Sequence, residues 1–199
     1  MRYGMVYLLL AAFLLPVAPG CGYARRTSRT PSLLSRAGIS RIYIHPVRNQ
    51  TLRPAVENAV YSQLVRMLSS TPGLRPVNSP ELADAELDGV VINAARSVSG
   101  EIKASDLNPK QVGSAQLLVA SEYQAQLECQ FSLTSTSAGK KTQVWSGTFS
   151  RTRPFPANSQ IGPLGSTGAL INESEFDRAL REMAESMMAD VNDSMFAMF

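Results

Sequence analysis

The sequence predicts an α+β fold, a two-layer sandwich with two helices packed on one face of a four-stranded mixed sheet. Three observations predict it. Residues 119–134 alternate strictly between apolar and polar side chains, as in a strand with one face on a core and the other in water or against a polar partner. Two segments, 54–68 and 173–197, carry an apolar stripe at three-and-four spacing and make two amphipathic helices. Further runs at about 39–47, 85–98 and 142–153 complete the order strand–helix–strand–strand–strand–helix.

The first strand sets Ile42 and Ile44 against Tyr43 and His45 and is closed by Pro46. Pro54 suits the first position of a helix, where a missing N–H costs nothing. Val56, Ala59, Val60, Gln63, Leu64, Met67 and Leu68 then form its stripe, and Ser69–Gly73 ends it. In the second strand the apolar parity shifts between Leu87 and Val90, which implies a bulge or a close approach at Gly89. The third strand directs Val119, Ser121, Tyr123, Ala125, Leu127, Cys129, Phe131 and Leu133 to one side. Residues 135–141 turn the chain into a fourth strand carrying Trp145 and Phe149 on one face, a hairpin. Residues 154–172 are rich in Pro, Gly and Ser and read as a long loop. Asn172, with Glu175 three residues on, has the character of a capping box for the last helix, with Ser174 as the other candidate cap. Phe176, Leu180, Met183, Ala184, Met187 and Val191 line that helix's inner side.

The chain has 199 residues, enough for one domain with a real core, and 44% hydrophobic content with 18% charge excludes wholesale disorder. Its net charge of +3 is too small to indicate a nucleic-acid binder. The distribution says more. Residues 1–53 hold eight Arg and no acid, leaving 11 basic and 16 acidic groups in the rest. Two Cys and one His make neither a disulfide framework nor a standard zinc site. Cys129, on the apolar face of a strand, reads as a small buried hydrophobe.

Arg2 precedes Met5–Ala18, 14 mostly apolar residues that end in small ones. That is the plan of a secretory signal peptide, and the run falls short of the roughly 20 apolar residues a spanning helix needs. Ala18-Pro19-Gly20-Cys21 resembles a bacterial lipobox, in which the Cys becomes the acylated first residue of the mature chain. The expected organisation is therefore a signal peptide over 1–20, a lipidated N-terminus and flexible tether over 21–37, and a single sandwich domain over 38–199. Acyl chains at about 0.8 kcal/mol per buried methylene anchor such a protein stably without a spanning helix. Gly22, where inner-membrane retention would place Asp, points to the outer membrane. Arg25, Arg26, Arg29 and Arg36 in the tether either touch anionic head groups or are simply solvated.

No nucleophile elbow, phosphate-binding Gly loop, HExxH or cofactor motif is present, so no enzyme activity and no cofactor are expected. Seven acids between Glu173 and Asp193 read as a solvated helix face. One charge pattern stands out. Between Glu128 and Glu173 there is no acid, while Lys140, Lys141, Arg151 and Arg153 gather on the hairpin and its exit. Together they would give one end of the sheet a positive field suited to phosphate or carboxylate groups.

Gly20-Cys-Gly-Tyr23, the segment Ile42-Tyr-Ile-His-Pro-Val-Arg-Asn-Gln-Thr51 with Pro54, Leu82-Ala-Asp-Ala-Glu-Leu-Asp-Gly89, and Tyr123 and Trp145 in the hairpin together resemble the LptE family of LPS-assembly lipoproteins. The resemblance implies two helices on a four-stranded sheet and a lipid anchor at Cys21. It also implies a partner, the outer-membrane LPS translocon β-barrel, which the protein plugs and helps assemble, and it implies LPS binding. The four basic hairpin residues are then the candidate contacts for LPS phosphates, by charge alone. Activators of peptidoglycan synthases share the Pro/Asn/Thr and Ala-Asp/Gly segments, so a periplasmic lipoprotein of that kind is the alternative. A cell-envelope hydrolase is a third reading, without a recognisable nucleophile or metal set.

Overall fold

A computed structural model describes residues 33–107, 118–137, 140–158 and 167–196. The leader and Cys21 lie outside the described residues. The fold is α+β, with two long helices and a mixed sheet. Its strands are β1 (Arg41–Ile44), β2 (Arg48–Asn49), β3 (Arg75–Val77), β4 (Ala85–Lys103), β5 (Leu118–Ser137) and β6 (Lys140–Pro156). The long helices are α1 (Val56–Ser70) and α2 (Thr167–Phe196), and short helical turns lie at Leu33–Arg36, Pro80–Leu82 and Ala104–Leu107.

The sheet order is β3-β1-β4-β5-β6, with β2 paired to β4. β1 runs parallel to both β3 and β4, whereas β4, β5 and β6 form an antiparallel meander. The sheet thus has six strands where the sequence predicts four. The two additional strands, β2 and β3, hold two and three residues, too few for any period to show.

The third strand's alternation places Ala125, Leu127, Cys129, Phe131 and Leu133 in the core, none with exposed surface. α1 contributes Val56, Val60, Leu64, Met67 and Leu68 to the same core, and α2 contributes Phe176, Leu180, Met183, Ala184, Met187 and Val191. α2 packs on β6, β5 and α1. Both long helices therefore lie on one face, and neither covers the other face.

Three local expectations change, and an open one, at Gly89, is decided. A helical turn at Leu33–Arg36 lies inside the expected tether, and Leu34 is buried in the core. Pro54 lies ahead of α1, whose cap is Ala55 at φ 64°. The Asn49 side chain displaces the helix start: its Nδ2 donates to Arg53 O and to Glu57, both at 2.7 Å, while its Oδ1 accepts from Thr51 N and Oγ1 at 2.8 Å. At Gly89 the parity shift reflects a close approach. An added Cβ would stand 3.1 Å from both Phe131 and Val47, and the register irregularity falls later, between Val91 and Asn93. Finally, α2 begins at Thr167, so Asn172 is inside the helix; its Oδ1 accepts from Asn158 N at 2.6 Å and ties α2 to the end of β6.

Candidate functional site

The basic hairpin is built from β5 and β6, whose register sets where each cation goes. From Trp145 to Pro156 the ladder is regular, pairing Trp145 with Leu133, Phe149 with Cys129, Arg151 with Leu127 and Arg153 with Ala125. Opposed residues in an antiparallel pair share a face. Arg151 and Arg153 therefore project toward α2, where Arg151 pairs with Asp190 and Arg153 pairs with Glu182 at 2.6 Å.

A bulge intervenes before the turn. Leu133 opposes Trp145 but Thr134 opposes Gln143, leaving Val144 as the extra residue. Lys141 then opposes Thr136 on the open face. There its Nζ lies 2.9 Å from Glu86 Oε1 of β4, and His45 Nε2 lies 2.9 Å from Oε2 of the same carboxylate. These two neighbours, His45 foremost, hold the Glu86 carboxyl below the ordinary range. Lys140 is exposed and has no acidic partner among the described residues.

The structure does not bring the four predicted cations to one end of the sheet. Ten residues of strand separate Lys141 from Arg151, roughly 30 Å at strand rise. The acids of α2 explain the arginines. Of the seven, Glu182 and Asp190 bind the hairpin, Glu173 binds Arg53 and Arg96, and Asp177 binds Arg53. Glu185 lies 3.9 Å from Arg66. What reads in the sequence as a solvated acidic face is in large part a charged seam between α2 and the sheet, α1 and the segment before α1.

Two residues outside the sequence-based set hold the frame of this region. Asp84 accepts from Ser40 N and Oγ at 3.0 Å, from Arg41 N at 2.8 Å and from Arg41 Nη2 at 2.7 Å. The Arg41 guanidinium, with the backbone amides of Arg41 and Ser40, holds the Asp84 carboxyl well below the usual carboxylate range. Its place in Ala-Asp-Ala is the only sequence signal for it. Arg53 stacks 5.0 Å over the Phe176 ring while binding Glu173 and Asp177, which clamps the first third of α2 to the segment before α1. Its partner is 124 residues away, beyond any local pattern.

Cys129 is buried, and burial pushes its thiol up to about 12, so it is inert packing. The only His ring contacts Glu86 and sits edge-on to Tyr43 at 4.8 Å.

The uncovered face of β5 and β6 is almost free of charge. Gln126 opposes Thr152, Gln130 opposes Thr148, and Ser132 opposes Ser146; β4 adds Asn93 and Ser97 beside them. Glu128, opposite Ser150 on β6, and Asp88 of β4, opposite Ser132, are the charges within this band. No helix of the described residues is long and apolar enough to cross a membrane.

No protein-family model matches this sequence, and no curated protein matches it. Solved structures of similar shape exist at low identity. They include the hypothetical protein CT253 of Chlamydia trachomatis, at TM-score 0.47 and 8% identity over 79% of this chain and 98% of that one. The PelC dodecamer protein of Paraburkholderia phytofirmans is similar at TM-score 0.46 and 17% identity, over 80% of this chain and 89% of the other. The rare lipoprotein B of Shewanella oneidensis is similar at TM-score 0.40 and 13% identity, over 78% and 93%.

Proposed function

We propose that this chain is an outer-membrane lipoprotein, anchored through Cys21 on the periplasmic face, that plugs an LPS-translocating β-barrel, assists its assembly and binds LPS during insertion at the cell surface. The observation that carries the reading is the open face of β4, β5 and β6. Strands of 17 to 20 residues present a broad band rich in Gln, Ser, Thr and Asn, with the carboxylates of Glu128 and Asp88 within it. The lumen of an outer-membrane barrel is polar, and a surface made mostly of neutral hydrogen-bonding groups meets such a wall while stranding few charges. The opposite layer, two helices closed over an apolar core, keeps that face stable without the partner.

Within this reading the LPS contacts fall at the hairpin turn. Lys140 is unpaired among the described residues and Lys141 is 63% exposed, whereas Arg151 and Arg153 already hold carboxylates of α2. Phosphates on LPS are suited to such exposed ammonium groups.

The test is affinity purification of the full chain from detergent-solubilised outer membrane, beside a Gln126→Arg, Thr152→Arg variant. A β-barrel that co-purifies with the wild type and is lost from the variant, at unchanged circular dichroism, supports the plug. Recovery of an inner-membrane synthase in place of a barrel supports the alternative activator role and overturns the proposal.

A further inference from the structure

β6 is the last strand of the sheet. Among the described residues its sole ladder partner is β5, so the other edge of a 17-residue strand presents unpaired N–H and C=O groups. Such an edge accepts another strand unless it is guarded, and charged residues, prolines and bulges are the usual guards. β6 carries all three, but only toward its ends. Lys140, Lys141 and the Val144 bulge stand at one end; Arg151, Arg153, Pro154 and Pro156 stand at the other. Trp145–Ser150 between them has no charge, no proline and a regular ladder.

That central stretch is self-complementary. Trp145 and Phe149 stack at 6.1 Å on the helix side, across Gly147. Gly147 has no room for a side chain, since a Cβ there would lie 2.7 Å from Phe149 and 3.3 Å from Trp145. Both aromatic residues are only half buried in the single chain. An antiparallel copy centred on Gly147 sets Trp145 opposite the partner's Phe149, and does so twice. Sliding the copy by two residues puts a ring against Gly147 or against Arg151 instead. Cross-strand aromatic pairs are among the favourable ones. The bulge ends the regular ladder at Trp145, before Lys141 would meet the partner's Arg153, and those two cations already hold Glu86 and Glu182. An isologous two-fold contact of this kind closes on itself and forms no filament.

We propose that two copies of this chain pair antiparallel along the β6 edge, about a two-fold axis at Gly147. The pairing joins the two sheets into one and does not depend on a barrel partner.

The register is testable by charge exchange at two exposed positions of the open face, Ser146 and Thr148, which oppose each other across the axis. Sedimentation equilibrium of the full chain, in density-matched detergent up to high-micromolar concentration, is expected to show a monomer–dimer equilibrium. Ser146→Lys with Thr148→Lys sets lysine against lysine twice and should weaken dimerisation at least about tenfold. Ser146→Lys with Thr148→Glu sets each lysine against the partner's glutamate and should restore it. A wild type that stays monomeric overturns the proposal. So does a Lys/Lys variant that dimerises as before, or a folded Lys/Glu variant that fails to recover.

Discussion

The two basic pairs of β6 occupy one strand, ten residues apart, and do different work. Arg151 and Arg153 lie under α2 and pair with Asp190 and Glu182, while Lys141 lies on the opposite face against Glu86. All three carry odd numbers, so an unbroken pleat would have put them on the same side. The bulge at Val144 adds one residue and reverses the parity toward the turn. A single inserted residue thus divides one run of positive charge into a seam that holds a helix and a lysine, Lys141, on the opposite face. Chemical identity along a strand says little about role until register is known.

The comparison can be tested from its structural side first. Phe131 lies at the arginine half of the hairpin, fully buried, 6.1 Å from the Phe149 ring and in contact range of Gly89. Phe131→Ala is expected to cost about 3–5 kcal/mol, read as a lowered urea midpoint at unchanged slope. A shift below about 1 kcal/mol would mean that this half of the hairpin is not core.

At the turn end the corresponding anchor is Asp84. Its folded carboxyl titrates below the ordinary range near 3.9, so the stability it contributes is present above that pH and is lost as pH falls through and below it. Asp84→Asn should cost about 1–2 kcal/mol at neutral pH, the value for partly exposed hydrogen bonds to a charged acceptor. It should also flatten the loss of stability between neutral pH and pH 3. Chemical denaturation at several pH values reads both, and a variant as acid-sensitive as the wild type would remove Asp84 from the account.

The charged seam should give a smaller effect. Arg151→Ala and Arg153→Ala are each expected to cost about 0.2–1 kcal/mol, because the pairs are partly exposed. A double-mutant cycle with Asp190→Ala isolates the first pair, and its coupling should shrink as salt rises. Zero coupling at low salt would return α2's acids to the role of a solvated face.

The lysines should move stability least. Lys140→Ala with Lys141→Ala should stay within about 0.5 kcal/mol of the wild type, while LPS binding under the proposed function falls several-fold and does so less at high salt. Equal LPS affinity in the two proteins would leave the turn without that role.

Most of this fold was readable where the signal is local. The alternation of β5 and the stripes of α1 and α2 predict most of the buried residues of those elements, because a strand or helix must turn its apolar side to the same core along its length. Val119, Ser121 and Tyr123 at the far end of β5 are only half buried. β2 and β3 escaped because their five residues are strands only by virtue of pairing with β4 and β1. The candidate site was readable in composition but not in arrangement. The acid-free hairpin and the acid-rich last helix both stand out as runs, yet nothing local shows that one neutralises the other.

What neighbouring residues dictate and what distant ones dictate divide along the same line. Periodicity, turn residues and small-residue punctuation act over a few positions, so they determined which segments are strands and helices and which face of each is apolar. The bulge at Val144, the Arg53 clamp across 124 residues and the Asp84 staple across 43 depend on strands and helices already being side by side. Which cations are consumed inside the molecule and which remain outside is decided there, since an ion pair exists only once packing has brought its two halves within reach.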